Sequence, residues 1–370
     1  MKQTIPILIF LGLILTGCDA FQSGADKGIE GPKVFLAAEW NVQALFDGEE
    51  NGNEYGEYLE KAGWTAEKYR ARLNAVSQAI LKNTDWKSYG PMSHASPPEL
   101  LGLVELENSG VLEELAGGTF SEYGYLWTAF AGIPGSSLGI GFLSRFPFKE
   151  TRVHSITVGN ETAPRPILEV RVEPEGKPLV FLLCHWKSKL GGDETTEYLR
   201  RASARVIQRR LRELRASDPE VPVIVMGDLN ENHDEYTRSS ALCALLPDNP
   251  DAAAAAAKAG AGNDFLVISG KKPPKASFFP EHTETLYSPW EDELKGGSYF
   301  YRGEWETIDH FLLSDRLFDG CGWDYADCIV LSQAPFTKAN GTPNAYVPRN
   351  GNGLSDHLPL LLYLYDTEGN

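Results

Sequence analysis

The residues best suited to chemistry in this sequence stand at the ends of apolar runs. Asn41 follows "FLAAEW", Glu105 follows "LLGLV" and His185 follows "LVFLLC". Asp228 and Asn230 close "VPVIVMGDLN", Asp309 and His310 lie in "WETIDHFLL", and Asp356 and His357 stand directly before "LPLLL". A buried strand does not need a carboxylate and an imidazole at its mouth in order to fold. If the strand ends converge at one edge of the sheets, these groups line a single cleft. Carboxylates and amides gathered there would bind a hard cation through oxygen, with Mg²⁺ the leading choice. Each signal alone is weak. "GDLN" also fits a strand-end turn in which Asp228 caps backbone amides. "SDH" also fits a helix cap beside a surface imidazole, and His310 a satisfied sheet residue. The set and its order carry the argument.

The elements that must position these groups are mostly strands. Val34 to Val42 and "LLGLVELE" read as strands, as do "YGYLWTAFAG", "IGFLSRF", "VHSITV", "PILEVRVE", "LVFLLCHW" and "VPVIVMGDLN". "SYFYRGEWETIDHFLLS" reads as two strands, and "LPLLLYLY" closes the chain. Tyr69 to Asn83 has helical spacing at Leu73, Val76, Ala79 and Ile80, and Val111 to Leu115 is a short helix. Thr195 to Ala216 is a long charged helix with one apolar stripe through Leu199, Val206, Leu211 and Leu214. "DAAAAAAKAGAG" reads as a surface helix end or loop. Runs of strands broken by a few long helices predict two packed sheets with helices outside. No linker divides residues 33–366, which are expected to form one domain.

The chain has 370 residues, 42% of them hydrophobic, enough for a sizeable core. Its formal net charge is −17. That disfavours sequence-independent wrapping of long nucleic acid, which needs Lys and Arg against phosphates. It does not exclude an enzyme of nucleic acid, because a bound cation neutralises phosphate locally. Met1-Lys2, the apolar run Ile5 to Leu15 and the sequence Leu15-Thr16-Gly17-Cys18 predict a lipoprotein signal peptide over residues 1–17. Cys18 would carry the lipid, and residues 18–32 would form the lipidated N-terminus and a tether. The expected location is the bacterial cell envelope, outside the cytoplasm. Cys184 is expected to be a packed thiol, and Cys321 and Cys328 are near enough in sequence to pair.

Taken together the motifs resemble the endonuclease/exonuclease/phosphatase superfamily, the DNase I-like fold. They run in family order: "EWNV", "GLVELEN", "GFLSRFP", "HWKSK", "GDLN", "TIDHFLLS" and "SDH". The stretches "LFDGEEN" and "HWKSKLGG" look most like the secreted bacterial, nuclease-like branch. The resemblance implies a four-layered α/β/β/α sandwich, two packed mixed β-sheets flanked by helices. It implies that Glu105, with Asn41 nearby, holds a divalent cation against a phosphate oxygen, and that Asp356 supports the metal shell. The ion expected is Mg²⁺ or Mn²⁺, with Ca²⁺ as a further option. Asp309 would orient His357 and favour its protonated form, so that His357 takes a proton from attacking water or binds phosphate. Asp228 and Asn230 would position the nucleophile and a phosphate oxygen, the identity of the base being left open. His185 would stabilise the phosphate or help the leaving oxygen. Arg165 and Lys187 are phosphate-contact candidates that read equally well as surface charge.

One departure matters: "SSLGIGFLSR" has no carboxylate to pair with His185, as some family nucleases do. The acidic stretch Asp47 to Glu57 reads as a solvated loop, with a second cation such as Ca²⁺ as the sharper alternative. The expected activity is metal-dependent phosphodiester hydrolysis by an extracytoplasmic nuclease. Nucleic acid is the expected substrate, the lipid anchor the expected link to a membrane. The chain is expected to be a monomer with no protein partner. Two other functions compete. One is a phosphoesterase of small or lipid substrates, with Trp290, Tyr299, Phe300 and Tyr301 as a membrane-touching edge. The other is a non-catalytic binding protein on the same fold.

Overall fold

Two mixed β-sheets lie face to face, and helices cover their outer sides. The computed structural model describes residues 33–82 and 97–368, apart from 160, 164, 240, 263, 281 and 282. The expected signal peptide, Cys18 and the tether lie outside the described residues, as does Asn83 at the expected end of the first helix. The six-stranded sheet runs Trp323–Val330, Leu360–Asp366, Val34–Leu45, Leu100–Leu106, Gly139–Ser144, Trp127–Ala131. The eight-stranded sheet runs Leu245–Pro247, Leu266–Ser269, Thr285–Tyr287, Asp309–Leu313, Val223–Asp228, Leu179–His185, Ile167–Val172, Glu150–His154. Helices Ala66–Lys82 and Ser109–Gly117 contribute Val76, Ile80, Leu112 and Leu115 to a core on the outer side of the first sheet. Helix Asp193–Ser217 covers the outer side of the second with Leu199, Ile207, Leu211 and Leu214. The expected four-layered α/β/β/α sandwich is the observed fold.

Between the sheets lies the third core, and it explains where the polar residues go. Alternate strand residues point to opposite faces. Along Val34–Leu45, Phe35 and Ala37 belong to the inter-sheet core, whereas Leu36, Ala38, Trp40 and Val42 belong to the outer one. Continuing by twos, Glu39 and Asn41 follow on the inner side. The same step leads from Phe181 and Leu183 to His185, from Ile224 and Met226 to Asp228, and from Leu313 and Phe311 to Asp309. Each inner row is apolar until its last members. Gly102 lets the sheets close: a Cβ there would sit 2.7 Å from Met226 Cε and 3.0 Å from Leu183 Cδ1.

The sequence under-reads several places, among them the short strands Leu245–Pro247, Leu266–Ser269 and Thr285–Tyr287. The "DAAAAAAKAGAG" stretch forms a ten-residue helix, Pro250–Ala259, capped by Asn249 Oδ1 accepting from Ala252 N. "SYFYRGEWETIDHFLLS" holds three strands, because Tyr299–Tyr301 and Glu304–Glu306 fold into a hairpin ahead of Asp309–Leu313. Trp323–Val330 was not expected as a strand. Its pairing slips between Tyr325 and Asp327, which breaks the alternation a strand normally shows. Cys321 and Cys328 are both free, the first exposed and the second buried.

Candidate active site

Strand register sets the first three groups in one row. Asp228 pairs with His185 on its parallel neighbour and with Asp309 on its antiparallel neighbour. Gly227 permits this approach: its φ is 116°, and a Cβ there would lie 2.2 Å from the Cys184 carbonyl oxygen. The facing sheet supplies Asn41 and Glu105 where its own pairing breaks. The Val34–Leu45 and Leu100–Leu106 strands slip register between Asn41 and Leu45, and Glu105 adopts φ 69°. That bulge turns Glu105 to accept a hydrogen bond from Ala44 N at 2.7 Å and one from Asn41 Nδ2 at 3.4 Å.

His357 reaches the same place from the mouth of the closing strand. Ser355 Oγ donates to Asn41 O at 2.6 Å and accepts from His357 N at 3.0 Å. Trp40 Nε1 donates to the His357 carbonyl at 3.0 Å. Gly353 makes the preceding turn fit, since a Cβ there would lie 2.0 Å from the Ala345 carbonyl oxygen. The ring then meets Asp309: Nδ1 is 2.8 Å from Oδ2, which also accepts from Ser298 Oγ at 2.6 Å. Nε2 points toward Asp228, 4.0 Å from its Oδ2. Tyr299 stacks on the imidazole with centroids 4.5 Å apart.

The electrostatics follow from this packing. Burial opposes a charge on His357, but Asp309, by charge and by hydrogen bond, with Asp356 and Asp228 behind it, raises its pKa well above the ordinary imidazole value. This surrounding favours the imidazolium form of His357. Asp228 is pushed up to about 7 by burial and then by the Asp309 charge, with His357, Asn230 N and Asn41 holding it partly down. Asn230 N donates to Asp228 Oδ1 at 2.8 Å and Asn41 Nδ2 to Oδ2 at 3.0 Å. His185 goes the other way: burial, then Arg165, His357 and Lys187, drive its pKa well below the usual value. Its Nε2 lies 3.6 Å from Asp228 and 3.7 Å from Glu105, and its buried Nδ1 has no hydrogen-bond partner. The carboxylate missing from "GFLSR" is thus missing in space as well, and His185 is a neutral imidazole.

A cavity of about 680 Å³ opens over this row, lined among others by Glu105, His185, Asp228, Asn230, Asp356 and His357. Among the described residues, a larger cavity of about 920 Å³ beside helix Pro250–Ala259 is lined by Ala, Gly, Phe, Pro and Thr side chains. Arg165 lines the active cavity beside Tyr55. Lys187 does not line it; its ammonium donates to Ser188 O at 3.1 Å and Leu190 O at 3.4 Å. Asn41 spends its oxygen on Gln43 N at 3.0 Å and its amide on Asp228 and Glu105, so it orients both carboxylates. Asn230 Nδ2 donates to Trp186 O at 3.2 Å, which fixes the turn. His310 faces the outer side, where a ring nitrogen meets Glu231 O at 2.8 Å; it is a sheet residue. In the acidic loop, Asp47 and Glu107 accept from Asn108, Asn51 and backbone amides, so local donors already occupy them.

The carboxylates of the cavity fit a divalent cation. Burial and then the Glu105 charge raise the Asp356 pKa, against the pull of His357. Among the described residues no Lys or Arg forms a salt bridge to Glu105, Asp228, Asp309 or Asp356. Asp228, Asp309 and His357 form the one group of three carboxylate or imidazole ligands within 4.8 Å of each other there. Asp309 does not line the cavity and its Oδ2 is held by His357 and Ser298, and both oxygens of Asp228 accept from Asn230 N and Asn41, so the carboxylates best placed to take a cation are Glu105 and Asp356.

Glu39 was not foreseen. It is fully buried on the inner row below Asn41, and neither carboxyl oxygen has a hydrogen-bond partner among the described residues. Burial first, then Asp309 and Asp228, raise its pKa well above normal, partly offset by His357. Its signal was the step of two from Asn41. Trp290, offered as a membrane-touching aromatic, is a core residue donating to Asp309 O at 2.8 Å, and Phe300 packs on Trp305. Of those four aromatics only Tyr301 is exposed.

Comparison with known proteins agrees with this fold. The model of the Endonuclease/Exonuclease/phosphatase family matches residues 36–256. A search of curated protein sequences finds no match. Among solved structures, a truncated TDP2 from Caenorhabditis elegans is similar with 14% identity and a TM-score of 0.51, over 90% of this chain and 98% of that one. TDP2 from D. rerio, in complex with a single-strand DNA product, is similar with 14% identity and a TM-score of 0.50, over the same shares. A family protein from Bacteroides thetaiotaomicron has 14% identity and a TM-score of 0.48, over 90% and 98%. At these identities the likeness to the two TDP2 structures shows the fold.

Proposed function

The chain belongs to the endonuclease/exonuclease/phosphatase family, and on that premise we propose that it hydrolyses phosphodiester bonds with a bound divalent cation and that nucleic acid is its substrate. The family includes phosphodiesterases and nucleases, and its members are generally metal-dependent. The observation that carries the reading is the Asp309–His357 pair, 2.8 Å apart, aimed at Asp228 beside an open cavity.

The roles follow from the protonation states. His357 is already charged, so it donates to a phosphate oxygen instead of accepting from water. Asp228 titrates near neutrality and is held by two donors, which leaves it to accept the proton of the attacking water. His185, neutral and buried, donates from Nε2 toward the same oxygens. Glu105 and Asp356 would hold Mg²⁺ or Mn²⁺, and the cation would supply positive charge against the oxygens that gain negative charge on attack. We further propose that the protein acts outside the cytoplasm, tethered by lipid on Cys18; the apolar run before Leu15-Thr16-Gly17-Cys18 supports this. Among the described residues no helix is long and apolar enough to cross a membrane.

The test uses the purified protein with plasmid DNA, single-stranded DNA, RNA and sphingomyelin vesicles, in Mg²⁺, Mn²⁺, Ca²⁺ or chelator. Metal-dependent cleavage of nucleic acid, lost in both His357→Ala and Asp228→Asn, is expected. Turnover of the lipid alone would replace the nuclease reading by a lipid phosphoesterase. Leu190, 85% exposed on the cavity rim, is the observation that favours this second reading.

A further inference from the structure

Resting on the nuclease reading, we propose that the Tyr299–Tyr301/Glu304–Glu306 hairpin is a stacking platform for an unpaired nucleobase, which makes single-stranded nucleic acid the substrate class. The hairpin turns at Arg302-Gly303, both with positive φ (50° and 92°), the two-residue geometry that suits strand twist. Tyr299 and Tyr301 therefore share one face, and Phe300 and Trp305 pack together. At its base the hairpin is fixed to the catalytic strand. Tyr299 forms a β-bridge with His357, and Leu358 N donates to Ser298 O at 2.7 Å.

The result is a file of flat groups leading out of the site. Tyr299 stacks on His357 at 4.5 Å and 28°. Tyr301 is nearly parallel to Tyr299, with centroids 6.1 Å apart and planes at 16°. The Arg302 guanidinium lies 5.0 Å from the Tyr301 ring centre. Tyr299, Tyr301 and Arg302 all line the active cavity, and Tyr301 is 46% exposed. A phosphate seated by His357 leaves its neighbouring base beside these rings. Bases stack on aromatic side chains whatever their sequence, but only when they are not already stacked in a duplex.

Charge points the same way. The cavity carries five carboxyl groups against three Lys or Arg side chains and two histidines, and one of the cations, Lys189, is paired with Glu235 at 2.5 Å. Such a lining cannot track the phosphates of a long duplex, so ring stacking has to supply the hold. Tyr301 tests this without touching the row of acids.

The measurement compares three substrates of one length: single-stranded DNA, the same backbone with every base replaced by an abasic spacer, and duplex DNA. Wild-type kcat/KM is expected to be highest on the single strand. Tyr301→Ala is expected to reduce the single-strand to abasic ratio of kcat/KM by on the order of 10- to 100-fold, the size of one base–aromatic stack, through KM. Tyr301→Trp should restore it. In chelator, where nothing turns over, quenching of 2-aminopurine in the single strand should be lost in Tyr301→Ala. An unchanged ratio in Tyr301→Ala, or equal wild-type rates on the single strand and the abasic strand, would overturn the platform while leaving the nuclease reading standing. Cleavage of sphingomyelin vesicles with none of the three nucleic-acid substrates would overturn both.

Discussion

Glu169 and Glu39 are buried carboxyls on strands of the two sheets, and the structure treats them in opposite ways. Glu169 faces helix Asp193–Ser217 and has partners on every side: Arg210 donates to both its oxygens at 2.6 and 2.7 Å, and His154 meets it at 2.7 Å. Burial alone would raise its pKa, but His154 and Arg210 pull it down to about 2. Glu39 is buried to the same extent without a hydrogen bond, and its neighbours are the acids Asp309 and Asp228. It is held as a neutral acid. Burial does not decide whether a carboxyl is ionised; the company it is buried with does. One cluster is satisfied and holds a helix to a sheet. The other is frustrated, because it is arranged for something that arrives later.

The sharpest way to break the contrast is at the frustrated end. Asp309→Asn leaves His357 without its carboxylate, so kcat should fall by about 10²- to 10⁴-fold. The alkaline limb of the remaining pH–rate profile should move to lower pH, because His357 loses its proton more easily without Asp309; an unmoved profile would remove Asp309 from this role. At the satisfied end, Arg210→Met strips Glu169 of its principal partner, and urea unfolding should show a loss of about 3 kcal/mol. Catalysis should persist in that variant below its melting temperature.

The pH dependence of stability separates the two acids by sign. The pKa of Glu169 falls from 4.5 to about 2 on folding, so its contribution is fully present above 4.5 and is lost as pH falls from there through 2. Glu39 is raised, so its contribution is present below 4.5 and is lost as pH rises through its folded value. Glu169→Gln should flatten the acid limb of melting temperature against pH, and Glu39→Gln the alkaline limb. The smallest effect expected is below pH 4.5, where Glu39 is protonated folded or unfolded and Glu39→Gln changes stability by about 1 kcal/mol or less; at neutral pH, where only the folded state still holds the proton, the same substitution should stabilise. A large loss there would mean that Glu39 is ionised and paired.

Much of this was legible because buried strands announce themselves. Runs such as "LVFLLCH" and "VPVIVMGD" mark both the strand and its polar end, and the order of those ends identified the fold. Glu39 escaped because "AAEWN" draws attention to its amide, although a step of two from Asn41 puts Glu39 on the same inner row. The Tyr299–Tyr301 hairpin escaped because Arg302-Gly303 is a tight turn inside a stretch that reads as two strands where the structure has three. Asn41 fits a ligand by type, but only coordinates reveal that Gln43 N already occupies its oxygen. Register, as in the His185–Asp228–Asp309 row, is a relation between strands that no single segment contains.

The place of the closing strand has a consequence for synthesis. Leu360–Asp366 is inserted between Trp323–Val330 and Val34–Leu45, and the bond from Trp40 to the His357 carbonyl spans 317 residues. A chain emerging from the ribosome therefore carries Asn41, Glu105, His185, Asp228 and Asp309 long before it has an imidazolium to set among them. Contacts of such separation form late, after the intervening loop has been closed. On the proposed function, the unfinished polypeptide would lack its hydrolytic centre until Leu360–Asp366 is made and placed.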